Sequence, residues 1–299
     1  MQTKKIVILG GTGTLGTEIL NHFKNCSDYC SQQIKSTNFE IKVISRDEAK
    51  QQDLKKKYPN VTFQIGDIRD YQNIYDGLRG ADIVFHVAAL KHIDIVESNI
   101  HEAMLTNVIG SINVAKAAIE RGVKKVIFSS TDKAVLPINA YGMMKAISEK
   151  YYKNLQSEFK DTTDFYVFRW GNVMGSRGSV IHSFAESLEK HRKIFLTDLR
   201  MTRFWINISD AVSFMFSKLD APSSGEVLYP EMKAASVYRV AHRIALLKGI
   251  ENFDISYIGL RPGEKIHECL ESNNQFNICS DTAPMLSDFE IDAMLRKIL

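Results

Sequence analysis

The first two dozen residues constrain this chain more than any other stretch. Lys4 to Leu9 (KKIVIL) is a short apolar run of the kind buried on both faces of a parallel sheet. Gly10-Gly11-Thr12-Gly13-Thr14-Leu15-Gly16 follows, and Leu15, Ile19, Leu20 and Phe23 then recur at helical spacing. Gly10, Gly13 and Gly16 give a GxxGxxG spacing. It suits a tight turn, close approach of the backbone to a pyrophosphate, and a helix packed hard on the sheet. The helix N-terminus adds amide donors and a favourable dipole. The residues expected to touch a dinucleotide here are Gly10, Thr12, Gly13, Thr14, Leu15 and Gly16.

The opening unit is repeated. Phe39 to Ser45 reads as a second strand, Val61 to Ile65 as a third, Ile83 to Ala88 as a fourth, Lys125 to Ser129 as a fifth and Phe165 to Arg169 as a sixth. Helical patterns separate them, the longest at Ile95–Glu120 and Tyr141–Phe159. Strands alternating with helices predict an α/β fold, a Rossmann-type doubly wound parallel sheet. The regularity ends near Gly171. Residues 1–170 read as a dinucleotide-binding Rossmann domain, and 171–299 as a smaller C-terminal substrate lobe, part of which returns to the main sheet. The polar segment Cys26–Asn38 reads as a surface loop or helix extension.

Composition excludes several classes. A formal charge of +3 and scattered aromatics give no nucleic-acid signature. No apolar run approaches the ~20 residues of a membrane span. The N-terminus enters a strand directly, so a cytoplasmic protein is expected. Cys26, Cys30, Cys269 and Cys279 read as free thiols in a reducing compartment. The eight histidines show no ligand cluster, so no metal is expected.

The end of the second strand discriminates between nicotinamide cofactors. Ser45 and Arg46 place a hydroxyl and a guanidinium where a carboxylate would repel a 2′-phosphate, and this favours NADP. Asp47 and Glu48 suit the cap of the next helix. Asp67, with Ile68 beside it, follows the third strand and can accept from an adenine amino group or cap a helix. Ala88 and Ala89 leave room beneath the cofactor. Lys91 lies near cofactor or substrate phosphates, or is merely solvated. Asn107 can hydrogen-bond backbone near the site.

Ser130-Thr131-Asp132-Lys133, followed by Tyr141 and Lys145, carries the chemistry. Tyr141 and Lys145 are four apart and share a helix face, so an ammonium beside the phenol should lower its pKa. With Thr131 they form an alcohol–ketone redox site. Asp132 and Lys133 add a second acid and a second base, which plain redox chemistry does not require. Their alternative is a surface ion pair in a turn.

These residues resemble the extended short-chain dehydrogenase/reductases, and within them the C5-inverting UDP-N-acetylglucosamine 4,6-dehydratases. The matching pieces are SRDE (45–48), AALKH (88–92), STDKAVLPINAYGMMK (130–145), GNVMGSRGS (171–179), TDLRMTRFW (197–205) and RPGEKIHE (261–268). The resemblance implies bound NADP, a UDP-sugar substrate and a homo-oligomer. It implies catalysis by Thr131, Asp132, Lys133, Tyr141 and Lys145, and a substrate grip formed by Lys91, Asn172, Arg177, Arg200, Arg203, Arg261 and Glu264. A sugar-nucleotide 4-epimerase shares the fold, the cofactor and the Tyr/Lys pair but has no need of Asp132 and Lys133. A non-catalytic NADP-sensing protein is the third reading.

Overall fold

The computed structural model describes residues 3–29, 38–273 and 275–299, with the backbone alone for 26–29. Most of Cys26–Asn38, with Cys30 and the Cys26 side chain, lies outside the described residues. The chain starts with β1 (Lys4–Leu9), α1 (Thr14–Tyr29), β2 (Phe39–Ser45), α2 (Glu48–Lys57), β3 (Thr62–Ile65), α3 (Tyr71–Gly77) and β4 (Ile83–His86). Next come α4 (Ile93–Ser98), α5 (Ile100–Met104), a π-helical turn (Leu105–Ile109), α6 (Gly110–Glu120), β5 (Lys125–Ser129), α7 (Ala140–Phe159) and β6 (Asp164–Phe168).

These six strands are parallel, in the order β3-β2-β1-β4-β5-β6, and the short β10 (Val227–Leu228) adds a seventh beside β6. The strand order reverses between β1 and β4. Ligands of such sheets bind at the carboxyl ends of the strands at that switch point. Val7, Leu9, Val84, Val126 and Phe128 pack one face of the sheet, and Ile6, Ile8, Val43, Phe85 and Ile127 the other. Continuous apolar strands buried on both sides account for the legibility of this half.

The second half contains β7 (Asn172–Met174), α8 (Val180–His191), β8 (Lys193–Leu196), β9 (Thr202–Asn207) and α9 (Ile208–Ser217) ahead of β10. After it come β11 (Ala234–Ser236), α10 (Val237–Leu247), β12 (Asp254–Tyr257), β13 (Cys269–Ser272), β14 (Asn277–Cys279) and α11 (Asp288–Leu295). Ile181, Leu188, Ile194, Trp205, Val240, Ile244 and Leu295 form a separate apolar core. Phe204, Ile206, Met215 and Leu219 join the core of the main sheet instead. Material beyond Gly171 therefore does return to the main sheet.

Two expectations are corrected. The helix expected over Ile95–Glu120 is broken. Asn99 leaves helical geometry (φ −139°, ψ 51°), and the π-turn at Leu105–Ile109 swings Asn107 inward. There its side chain accepts from Leu90 N at 2.9 Å and donates to Leu90 O at 2.8 Å, the backbone bond expected of it. Cys269 and Cys279 are not free thiols, because the antiparallel β13–β14 pair sets them opposite one another and they form a disulfide.

Candidate active site

The glycine turn lies where β1 and β4 diverge. Gly10 has φ +83°, and a Cβ on it would stand 2.7 Å from Ala88 Cα. A Cβ on Gly16 would stand 2.5 Å from Gly11 Cα, so α1 packs directly on the turn. Gly13, Thr14, Leu15 and Gly16 open the first turn of α1 onto a cavity of about 1120 Å³. Amides at a helix N-terminus, beside backbone no side chain could occupy, fit the pyrophosphate of a dinucleotide. A loop from the second half closes over this cradle: Arg177 N donates to Thr14 Oγ1 at 3.1 Å. Ala89, Lys91, Asn172, Arg177, Arg261 and Glu264 face the same cavity.

The opposite wall is built around a 3₁₀ turn, Asp132–Ala134, at the end of β5. Ser130 N donates to Phe168 O at 2.6 Å and Asp132 N to Trp170 O at 2.8 Å, tying the segment to the extension of β6. Asn139 caps α7, accepting from Gly142 N at 2.7 Å. The same side chain donates to Gly263 O at 2.8 Å, which fastens the 261–264 loop to the cap. Gly142 lets α7 press on the turn: a Cβ there would stand 3.0 Å from the Lys133 carbonyl carbon and closer still to its oxygen. Tyr141 is thereby set against Thr131, Asp132 and Lys133. Buried Arg169 and Glu149 make a two-pronged pair, with Nε to Oε1 at 3.0 Å, that locks β6 to the middle of α7.

The charges are arranged differently from the expectation. Tyr141 is buried, and burial pushes its phenol up to about 12; Lys133 pulls it down, Asp132 raises it, and a hydrogen bond with Thr131 lowers it. The groups that move the phenol are Lys133, Asp132 and Thr131, and Lys145 is engaged elsewhere. Its Nζ donates to Ser129 O at 2.7 Å and lies 4.4 Å from the centre of the Phe128 ring. Burial brings Lys145 down to about 7, against the opposing pull of Glu149. Sharing a helix face aligns the Cβ atoms, but the long lysine side chain reaches past the phenol to the end of β5.

Lys133 is a second correction. A lysine that removes a proton must be neutral, and burial favours that form. However, Asp132 and Glu268 outweigh burial and hold Lys133 above its usual value, with Arg203 opposing them. Its Nζ is 3.0 Å from Asp132 Oδ1 and 3.7 Å from Glu268 Oε1. Asp132 is fully buried, accepts from Thr131 Oγ1 at 3.0 Å, and leaves Oδ2 without a hydrogen-bond partner among the described residues.

Other expected residues fall away from this cavity. Ser45 is buried and its hydroxyl accepts from Gln51 at 2.9 Å. Arg46 is half-exposed at the β2 terminus, 3.9 Å from Asp67 Oδ2. Asp67 chiefly serves Arg69, 2.6 Å away. Asp47 and Asp70 cap α2 and α3. Thr12, Ile68 and Ala88 are not among the residues that line the cavity. Arg200 is exposed and paired with Asp198 at 2.7 Å, so its guanidinium faces its own turn and not the cavity. Arg203 borders the cavity, but its guanidinium donates to the carbonyls of Thr202, Lys265 and Ile266. It braces the 261–268 loop. Sequence reading missed Glu268, Asn139 and the Glu149–Arg169 pair; Glu268 stood in a quoted motif without being given a role.

Comparison with known proteins shows the family and the fold. A family model described as polysaccharide biosynthesis protein matches residues 6–286. A protein of Campylobacter jejuni named UDP-N-acetylglucosamine 4,6-dehydratase (inverting) is 37% identical over 293 residues, 96% of this chain and 81% of that protein. A protein of Rickettsia bellii named UDP-glucose 4-epimerase is 38% identical over 283 residues, 93% of this chain and 80% of that one. The X-ray structure of Pen from Bacillus thuringiensis superposes with a TM-score of 0.88 at 31% identity, covering 100% of this chain and 99% of that one. A dTDP-glucose 4,6-dehydratase structure, DesIV from Streptomyces venezuelae, shares the fold at TM-score 0.80 and 19% identity, covering 98% and 96%.

Fold and site together define an extended short-chain dehydrogenase/reductase. The chain belongs to the polysaccharide biosynthesis protein family within that superfamily.

Proposed function

We propose that this protein is an NADP-dependent, C5-inverting UDP-N-acetylglucosamine 4,6-dehydratase. The observation that carries the reading is the Asp132–Lys133 pair, buried against Tyr141 on the wall facing the glycine cradle. An epimerase needs the tyrosine and Lys145 but has no use for a second acid and base there. The relative named as a dehydratase supports the same choice.

Residues 1–170 hold the cofactor and 171–299 supply most of the substrate grip. The cradle of Gly10, Gly13 and Gly16 receives the pyrophosphate, and Arg46 meets a 2′-phosphate at the end of β2. Lys91, Asn172, Arg177, Arg261 and Glu264 hold the sugar nucleotide. Arg200 is left out of the grip and Arg203 supports it from behind. NADP, when bound, supplies the hydride acceptor and donor.

Tyr141 removes the proton of the C4 hydroxyl, with Thr131 fixing that oxygen. A phenol pushed up to about 12 must be brought down for proton removal, and the Lys133 ammonium already acts in that direction. Lys145 holds ribose hydroxyls. The resulting C4 ketone acidifies the C5 proton.

The resting Asp132 carboxylate and Lys133 ammonium are one proton transfer from the pair that elimination requires. Moving a proton from Lys133 Nζ to Asp132 Oδ1, across 3.0 Å, leaves a neutral amine and a carboxylic acid. Lys133 then takes the C5 proton and Asp132 gives its proton to the departing C6 hydroxyl as water leaves. Both residues return to their resting charges.

A homo-oligomer is part of the proposal. Ile95, Ile100, Met104 and Ile109 leave apolar side chains exposed along α4, α5 and the π-turn, and Met143 and Ile147 do the same on α7. Among the described residues no helix is long and apolar enough to cross a membrane.

The test is NMR of the product formed from UDP-N-acetylglucosamine and NADP in D₂O. A 4-keto-6-deoxy sugar inverted at C5 and carrying deuterium there is expected. A galacto epimer would make the protein a 4-epimerase, and unchanged sugar with bound NADP would make it a binding protein.

A further inference from the structure

Glu268 lines the cavity in an unusual setting for a carboxylate. It is 2% exposed, and its Oε2 has no hydrogen-bond partner among the described residues. Oε1 lies 3.7 Å from Lys133 Nζ, and Oε2 lies 3.4 Å from Lys265 Nζ. Its backbone is fixed by Ser280: Glu268 N donates to Ser280 Oγ at 3.0 Å, and Ser280 N to Glu268 O at 2.8 Å. Lys265 is held in turn by Val135 O at 2.6 Å. The result is a row of alternating charge, Asp132, Lys133, Glu268, Lys265, in which both carboxylates are buried and both lysines are largely so. Burying such a row costs more than a surface arrangement would, and losing one member strands the others.

We propose that Glu268 is a positioning residue for the elimination step, a second counter-ion that aims the Lys133 ammonium and opposes the transfer of its proton to Asp132 until substrate is in place. The proposal rests on the dehydratase reading, in which Lys133 removes the C5 proton. The physical argument concerns competition. With Asp132 alone, Lys133 would have one acceptor and one place to point. With Glu268 on its other side, the ammonium is shared, and the neutral amine is disfavoured by two carboxylates instead of one. The groups facing Lys133 are Asp132 on its own turn, Tyr141 from α7, Arg203 from β9, and Glu268 from the segment leading into β13. Only the two carboxylates favour the charged form, and the positive Arg203 opposes it.

The experiment compares wild type, Glu268→Gln, Glu268→Asp and Lys265→Met. Loss of the Glu268 charge should make Lys133 neutral at lower pH. The alkaline limb of kcat/KM for dehydration, where the pair loses the one proton it shares, should move down in pH, while kcat on the plateau falls because the amine is no longer aimed. Glu268→Asp, which keeps the charge on a shorter arm, should restore the limb without fully restoring kcat. Lys265→Met removes a cation that competes for Glu268 and should move the limb up. A purely structural role would lower the plateau in every variant and leave the limb in place, and that result overturns the proposal.

A second readout does not depend on turnover. Lysines labelled with ¹³C at Cε are titrated by NMR, with the Lys133 resonance assigned by its loss in Lys133→Arg. Its midpoint should fall in Glu268→Gln and rise in Lys265→Met; an unchanged midpoint overturns the proposal whether or not the wild type dehydrates the sugar. If wild type makes no 4-keto-6-deoxy product yet the midpoints move, the dehydratase reading fails and the charge coupling stands. Should Glu268→Gln not fold, Lys265→Met still must raise the midpoint while Glu268→Asp leaves it near the wild-type value, and an unmoved midpoint in Lys265→Met overturns the proposal.

Discussion

Gly142→Ala tests the packing that brings α7 onto the 3₁₀ turn. The new Cβ would stand 3.0 Å from the Lys133 carbonyl carbon. The Lys133 carbonyl oxygen is nearer still and is the limiting contact, so helix and turn must separate by roughly 1 Å to reach ordinary van der Waals distance. Neither side yields cheaply. The obstruction is backbone, and the turn is held by Trp170 O while the helix is held by the Asn139 cap. Overpacking of this kind costs about 1–3 kcal/mol. At roughly 2 °C per kcal/mol for a chain of this size, the melting temperature should fall by about 2–6 °C. The effect on turnover should be disproportionate. Tyr141 precedes Gly142, and Lys133 carries the obstructing carbonyl, so the separation falls directly between phenol and amine. A misplacement near 1 Å costs on the order of 100-fold in rate. The assay is kcat for formation of the 4-keto product, beside a melting curve and an NADP titration. NADP affinity should hold within about threefold, because the glycine cradle lies on the opposite wall. Turnover within about threefold of wild type, in a protein that still folds, would refute the idea that this contact sets the reacting geometry.

Other outcomes follow from the same site. Lys133→Ala should lose dehydration by at least about 100-fold while binding NADP normally; a variant with full turnover removes the base from the scheme. Arg46→Ala should weaken NADP by about 10- to 100-fold and leave NAD nearly unchanged, measured by direct titration, if the guanidinium meets the 2′-phosphate. Lys145 is brought down to about 7 in the folded protein and keeps its ordinary higher value when unfolded, so the unfolded chain binds more protons between about pH 7 and 10. Stability of the cofactor-free protein should therefore rise over that window, and Lys145→Met should flatten the rise in denaturant unfolding. The Cys269–Cys279 bridge closes a separation of ten residues, and reducing it should cost on the order of 2–3 kcal/mol in the same assay.

The legible parts of this protein are those whose signal is local. Strands β1 to β6 announce themselves because a parallel sheet covered on both faces needs unbroken apolar runs, and Lys4–Leu9 or Lys125–Ser129 can be little else. Tyr141 and Lys145 share a helix face as their spacing demands. The errors lie where distant segments meet. No spacing tells that Lys145 reaches Ser129 O, or that Glu268 arrives beside Lys133 from 135 positions further along the chain. Arg200 and Arg203 stand three apart in one quoted motif, yet one turns to Asp198 and the other to the carbonyls of the 261–268 loop. The π-turn at Asn107 is likewise invisible, because its cause is the Leu90 backbone and not the helix's own residues.

The most direct test uses UDP-N-acetylglucosamine carrying deuterium at C4. The account predicts that the label migrates within the same sugar and appears in the C6 methyl group of the product. Deuterium retained at C4, or lost to added cofactor, would contradict it.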